Sequence, residues 1–170
     1  MFLSKIELFS TPDSHKWQKR MIIELKRTNS ENEDFYNLVI DLEKYLTHAD
    51  EKAHSECKPY NKLETIKHVI VAFIDQKPIG CGAIRQFDKN TVEIKRMFVA
   101  ENARGKGIGT KILTELELWA KELDFKVSIL ETGKMMPEAI NLYKGNNYNQ
   151  IPNYGQYKGM EKSICFEKEL

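Results

Sequence analysis

At 170 residues the chain suits a single domain, long enough to bury a sizeable core without disulfide staples. Lys and Arg number 26 against 25 for Asp and Glu, a balance that argues against a nucleic-acid footprint or a polybasic membrane surface. The longest apolar run, Val69 to Ile74, is far too short to span a bilayer.

The first twenty residues are weakly patterned and carry Lys5, Glu7, Asp13, Lys16, Lys19 and Arg20, so no secretory signal is expected. Phe2, Ile6, Leu8 and Phe9 suit a short strand, and Thr11-Pro12-Asp13-Ser14 reads as a turn. Met21 to Lys26 alternates weakly, as either a strand or the start of a helix. Ser30-x-x-Glu33 has the form of a capping box before a helical stripe of Phe35, Leu38, Val39, Leu42 and Leu46. Ala49 to Lys62 loses the periodicity and reads as a loop or short irregular helix.

Lys67 to Ile74 and Pro78 to Phe87 flank Asp75-Gln76-Lys77, a hairpin pattern. The small residues Gly80-Cys81-Gly82-Ala83 suit a bulge or a close neighbour. Cys81 is either a packed small residue or a nucleophile, and no His lies near it in sequence. Cys57, Cys81 and Cys165 form no C-x-x-C pair, and the four histidines form no ligand spacing, which argues against disulfides and metal. A soluble cytoplasmic protein without metal is the expectation.

Thr91 to Val99 is a strand with Val92, Ile94, Phe98 and Val99, and Ile108 to Leu123 a helix striped by Ile108, Ile112, Leu116, Trp119 and Leu123. Between them lie Arg104, Gly105, Lys106, Gly107, Ile108, Gly109 and Thr110. Glycines there let the backbone approach a ligand, and the helix start offers free N–H groups beside two cations. The segment reads as a phosphate cradle or as a tight turn. It fits neither the P-loop, because Thr110-Lys111 is in the wrong order, nor G-x-G-x-x-G in either register.

Downstream, Lys126 to Leu130 is a short strand followed by Glu131-Thr132-Gly133. Met136-Pro137 opens a helix ending near Gly145, 151–160 is turn-rich, and Ser163 to Glu169 is a last strand. Alternating strands and helices define an α/β domain with one sheet covered on both faces.

The pattern R-x-x-G-x-G, as Arg104, Gly107 and Gly109 between strand and helix, resembles the acetyl-CoA pyrophosphate loop of the GNAT-type N-acetyltransferases. EIKRMFV, LETGKMMPEAINLYKGNNY and IPNYGQY resemble further parts of that family. The resemblance implies a GNAT domain over residues 21–170, with a mixed, mostly antiparallel sheet and helices on both faces. Residues 1–20 would be an extension of unknown role. It also implies acetyl transfer from acetyl-CoA to the amine of a small molecule or amino acid, with a possible homodimer paired through an exposed C-terminal strand. A protein or peptide acceptor, or a non-catalytic acyl-CoA-binding module, are the alternatives.

Carried over by residue, Met97, Phe98 and Val99 would bind the pantetheine arm through their main chain. A backbone N–H at or near Val99 would polarise the thioester carbonyl. Arg104 to Thr110 would hold the pyrophosphate, and Asn141 would hydrogen-bond the cofactor. Tyr143, the tyrosine of A-x-x-L-Y, would protonate the leaving thiolate or else only pack its helix. Glu93, four residues before Met97 and expected on the same strand face, would be the base or a salt-bridge partner of Lys95 or Arg85. Thr47–Lys62 and Asn153–Gly159, with Tyr154 and Tyr157, would wall the acceptor. The family's usual glycine before the aromatic of the next strand is replaced here by Asn147, a residue tolerant of left-handed backbone.

Overall fold

The structure is a computed structural model that describes residues 22–57, 63 and 66–170, without the side chains at 50, 52–54, 56 and 57. The expected extension at 1–20 and its short strand lie outside the described residues.

Among the described residues, seven strands form one sheet in the order β1-β2-β3-β4-β5-β7-β6. They are β1 (Ile23–Thr28), β2 (His68–Ile74), β3 (Lys77–Gln86), β4 (Thr91–Val99), β5 (Val127–Gly133), β6 (Asn149–Ile151) and β7 (Ser163–Glu169). Only β4 and β5 run parallel. Helix α1 (Glu33–Cys57) covers one face; α2 (Ile108–Glu122) and α3 (Pro137–Gly145) cover the other. Of the weakly alternating segment 21–26, residues 23–26 lie in strand β1, held in register against β2.

Alternation in β2 divides the core. Val69 and Val71 pack with Phe35, Leu38, Val39 and Leu42 of α1, while Ile70 and Ala72 pack under Ile112, Leu113 and Leu116 of α2. Each such side chain contributes roughly 1.5–3 kcal/mol when fully buried. The interval between β2 and β3 is two residues, Asp75 (φ 47) and Gln76 (φ 64), and Lys77 already pairs with Ile74. Both turn residues are left-handed, as a type I′ hairpin with right-twisted strands requires.

Helix α1 differs from the sequence reading at both ends. Its cap is Asn32, whose Oδ1 accepts the Phe35 N–H at 2.9 Å, so Glu33 is the first helical residue and Ser30 lies outside the motif. Such a cap is worth about 1 kcal/mol. The helix then runs regularly through 49–57, where a loop or short irregular helix was expected. Ala49, Glu51, Lys52, Ala53 and Glu56 are good helix formers. Hydrophobic period reports burial, and the described side chains of this last part are exposed.

Two further differences shape the cleft described below. Strand β5 continues through Glu131, Thr132 and Gly133 rather than stopping at Leu130, because β7 pairs with it along its full length. The C-terminal strand β7 is not a sheet edge, since the three-residue β6 covers it over Cys165–Glu167. The chain reaches β6 through Asn147, left-handed at φ 66, as its tolerance of that region allows.

Candidate active site

The site begins with a parting of two strands. β4 pairs with β5 only from Thr91–Ile94 against Val127–Leu130. Beyond that point β4 follows β3 to Val99, and β5 follows β7 to Gly133. The wedge between them opens into a cleft of about 430 Å³, bordered by Lys95–Val99, Glu131–Gly133, the glycine loop, α1 and α3. Parallel strands that part in this way leave main-chain groups of β4 facing the gap, available to an extended ligand arm.

A β-bulge sets what faces the gap. Cys81 pairs with Phe98 and Ala83 with Lys95, so β4 places two residues, Arg96 and Met97, opposite Gly82. Arg96 is left-handed at φ 58. An extra residue inverts the inside–outside alternation beyond it. Val92 and Ile94 therefore share the α2 face with Met97, while Phe98 joins the α1 core. Gly82 is required here: a Cβ would lie 2.5 Å from Met97 Sδ and 2.8 Å from Ile112.

This corrects the placement of Glu93. It does not share a face with Met97, and it does not line the cleft. It is fully buried, paired with Arg85, accepting from Tyr154 Oη at 3.0 Å and Tyr157 Oη at 3.3 Å, with Lys95 Nζ 3.7 Å away. Tyr154 and Tyr157 are accordingly seal and packing for this cluster. From the expected acceptor wall at 153–159 no residue lines the cleft; the neighbouring Lys162 and Ser163 do.

At the far end lies the glycine loop. Gly105 (φ 75) and Gly107 (φ 73) are left-handed, a conformation that costs a residue with a Cβ about 1–2 kcal/mol. A Cβ on either would meet open space, so the loop leaves room against its backbone. The first intrahelical bond of α2 runs from Lys111 N–H to Gly107 C=O at 3.1 Å, leaving the N–H groups of Ile108, Gly109 and Thr110 without helical acceptors. With the helix dipole behind them they suit an anionic phosphate, and the residues present fit a pyrophosphate. Gly109 has a different role: it is helical, and its Cβ would stand 3.3 Å from Leu142 of α3. Arg104 donates from Nε to Val99 O at 3.0 Å and lies 4.4 Å over the Tyr45 ring, tying the loop to β4 and α1. Lys106 is exposed, donates to Asn102 O and does not line the cleft.

Helix α3 is pinned to the sheet by Tyr143, which is buried against Tyr148 and Phe166 and borders the cleft beside Ala139 and Leu142. Burial first, and the charge of Glu131 second, push its phenol well above the ordinary range, so it is fully protonated at neutral pH. Asn141 is exposed and lines nothing in the cleft. The spacing of 138/139 with 142/143 defines the cleft side of α3, and position 141 falls on the opposite side.

Sequence reasoning missed Glu131. It borders the cleft, accepts from Ser163 Oγ at 2.6 Å, and burial raises its carboxyl above the usual range against the opposing pull of Ser163 and Lys95. Lys95, also on the cleft, donates to Tyr157 Oη at 2.8 Å, and burial lowers its ammonium. The one available signal for Glu131 was its place directly after an apolar strand, where a sheet can present a polar end. Cys81 is fully buried, donates to Arg96 O at 3.4 Å, and burial raises its thiol, as suits a packed residue rather than a nucleophile.

A parted β4/β5 pair, a β4 bulge and a glycine loop opening α2 define an acyl-CoA-type transferase fold. The profile of the Acetyltransferase (GNAT) family matches residues 25–148, and the chain belongs to that family. An IAA acetyltransferase from Azospirillum brasilense is 34% identical over 93 residues, which span 54% of this chain and 61% of the relative. An acyl-CoA N-acyltransferase structure from Klebsiella pneumoniae superposes with TM-score 0.74 at 26% identity, covering 87% of this chain and 97% of that one. A GNAT family acetyltransferase from Elizabethkingia anophelis with acetyl-CoA bound has TM-score 0.64 at 23% identity, over 87% of this chain and 98% of its own.

Proposed function

We propose that this chain transfers an acetyl group from acetyl-CoA directly to the amine of a small molecule or amino acid. The observation that carries the reading is the cleft itself. It joins an anion-suited helix start, parted main chain on β4 and a protonated phenol on α3 in one continuous space. The small acceptor is supported by the A. brasilense relative, whose name records a small-molecule acetylation.

Acetyl-CoA would supply an activated thioester. In this reading the N–H groups at 108–110 and the left-handed Gly105 and Gly107 hold the pyrophosphate, and Arg104 keeps the loop against Val99. The main chain of Met97, Phe98 and Val99 aligns the arm, and a backbone N–H at or near Val99 polarises the carbonyl. Tyr143 donates its proton to the departing sulfur. A protonated donor is what that step requires, and its burial keeps the proton in place until negative charge develops nearby. Glu93 has no direct part; its ion pair with Arg85 holds β4 to β3, and hydrogen bonds donated by Tyr154 and Tyr157 hold it to 154–157.

The test is thiol release from acetyl-CoA in the presence of alkylamines, arylethylamines and free amino acids, with calorimetry of acetyl-CoA and ATP alongside. Acetyl-CoA binding together with amine-dependent thiol release is expected, with no ATP binding. Tight acetyl-CoA binding without release for any amine would instead mark a non-catalytic acyl-CoA module.

A further inference from the structure

We propose that Tyr45 is a positioning residue for acetyl-CoA, its ring holding the Arg104 guanidinium ready for the pyrophosphate. The assignment rests on the cosubstrate reading above. Of the two cations in the glycine loop, Lys106 is exposed, donates to Asn102 O and lies off the cleft, so Arg104 is the one that borders it. The other described cations on the cleft, Lys95, Arg96 and Lys162, come from β4 and from the residue before β7.

Two contacts fix the guanidinium. Its Nε donates to Val99 O at 3.0 Å, and its central carbon stands 4.4 Å from the centroid of the Tyr45 ring. Among the described residues no acceptor takes a hydrogen bond from Nη1 or Nη2. A planar group held at one edge and across one face keeps its fork of terminal N–H groups for a ligand. Such a fork matches the paired oxygens of a phosphate, and it lies in the same loop as the N–H groups of 108–110.

A second arginine shows what a purely structural stack looks like in this protein. Arg27 lies 4.9 Å over the Trp119 ring, but there Nε is taken by Glu115 and both terminal nitrogens by Glu122. Arg104 has the aromatic face without the carboxylates. Its terminal N–H groups are therefore left for a partner that the protein itself does not supply.

The ring is itself held in place. Tyr45 follows Leu42 by three residues on α1 and packs, half-buried, against the core of Phe35, Leu38, Val39 and Leu42. Two residues before it, Glu43 is paired with Arg96 of the β4 bulge. Helix α1 is thus gripped at 43 by the bulge and at 45 by the loop. A long side chain gives up rotamer freedom when it closes on a ligand, and a guanidinium already parked on a fixed ring has less to give up.

Calorimetry of CoA with the full chain tests the assignment. Tyr45→Leu removes the ring face and is expected to weaken CoA binding roughly three- to tenfold, the range of a half-buried cation–π contact. Tyr45→Phe keeps the face and should keep wild-type affinity. Arg104→Lys keeps the charge but neither the plane nor the Nε bond, and should lose at least as much as Tyr45→Leu. In an Arg104→Ala background, Tyr45→Leu should cost no further affinity, because the ring then has nothing to position. In turnover, the Tyr45→Leu change should fall on the KM for acetyl-CoA rather than on kcat. Unchanged CoA affinity in a folded Tyr45→Leu or Arg104→Lys protein would overturn the assignment. So would an undiminished loss from Tyr45→Leu in the Arg104→Ala background, which would make the ring a packing group of α1. A wild-type protein that binds no CoA would overturn the cosubstrate reading, and Tyr45 with it.

Discussion

Glu93 and Met97, four residues apart on β4, point to opposite faces of the sheet, because Gly82 of β3 faces two β4 residues between them. The bulge gives Met97 to the α2 face and the cleft and leaves Glu93 inside a buried ion cluster with Arg85 and Lys95. A parity change of one residue thus separates a cleft-lining strand end from a structural strand start.

Truncating Glu93 should therefore cost stability. Glu93→Ala leaves the buried Lys95 and the half-buried Arg85 without their carboxylate, and breaking a buried pair costs about 3–5 kcal/mol. Thermal unfolding followed by circular dichroism should show a clear drop in Tm, and Glu93→Gln should keep the wild-type acid limb of the rate profile. An unchanged Tm in the Ala variant would mean the cluster holds nothing together.

Tyr143→Phe keeps the ring packed against Tyr148 and Phe166 but removes the proton. Steady-state kinetics should show kcat lower by on the order of a hundredfold, with the KM for acetyl-CoA little changed. A kcat near that of the parent would reduce Tyr143 to a packing residue.

Two glycines should fail in different ways. Gly82→Val drives a side chain into Met97, Ile112 and Leu116, an overpacking that costs typically about 1–3 kcal/mol and shows in unfolding curves. The Cβ of Gly107→Val would meet no protein atom within 4 Å and, in the acetyl-CoA reading proposed above, would enter the space of the pyrophosphate, at a left-handed position. It should stay folded and lose acetyl-CoA binding by calorimetry. Full affinity in the folded Gly107→Val protein would remove the cradle from the loop.

Glu131 should weaken the fold at neutral pH. Its folded-state proton affinity is raised, so stability falls as pH rises from the unfolded carboxyl range, about 4.3, through the higher folded value. Above that window the ionised carboxylate opposes folding in full. Glu131→Gln abolishes the titration, so its Tm should exceed wild type at pH 7.5, with the gap closing towards pH 4. A Gln variant less stable than wild type at pH 7.5 would show that Ser163 and Lys95 outweigh burial.

No covalent acetyl-enzyme should form on Cys81, whose thiol is buried and held protonated. Intact-mass measurement after incubation with acetyl-CoA alone should return the unmodified mass. An added acetyl group mapped to Cys81 would replace direct transfer with a two-step route.

Local sequence determined much of this protein. The stripes of α1 and α2, the strands from β2 to β4 and β7, the left-handed tolerance at Asn147 and the glycine loop follow from periodicity and backbone preference within short windows. The phase of α3 puts Tyr143 on the sheet and Asn141 away from it, a relation that helical spacing by itself carries. Other features depended on distant pairing. The direction of a strand side chain depends on how many residues its neighbour opposes to it, and nothing in EIKRMFV announces that Gly82 will face two of them. Whether a carboxylate is sealed or open depends on segments far along the chain: Tyr154 and Tyr157 close over Glu93, while the parting of β4 from β5 leaves Glu131 on the cleft. Burial and pairing are properties of the assembled sheet, so only the tertiary structure could tell these two glutamates apart.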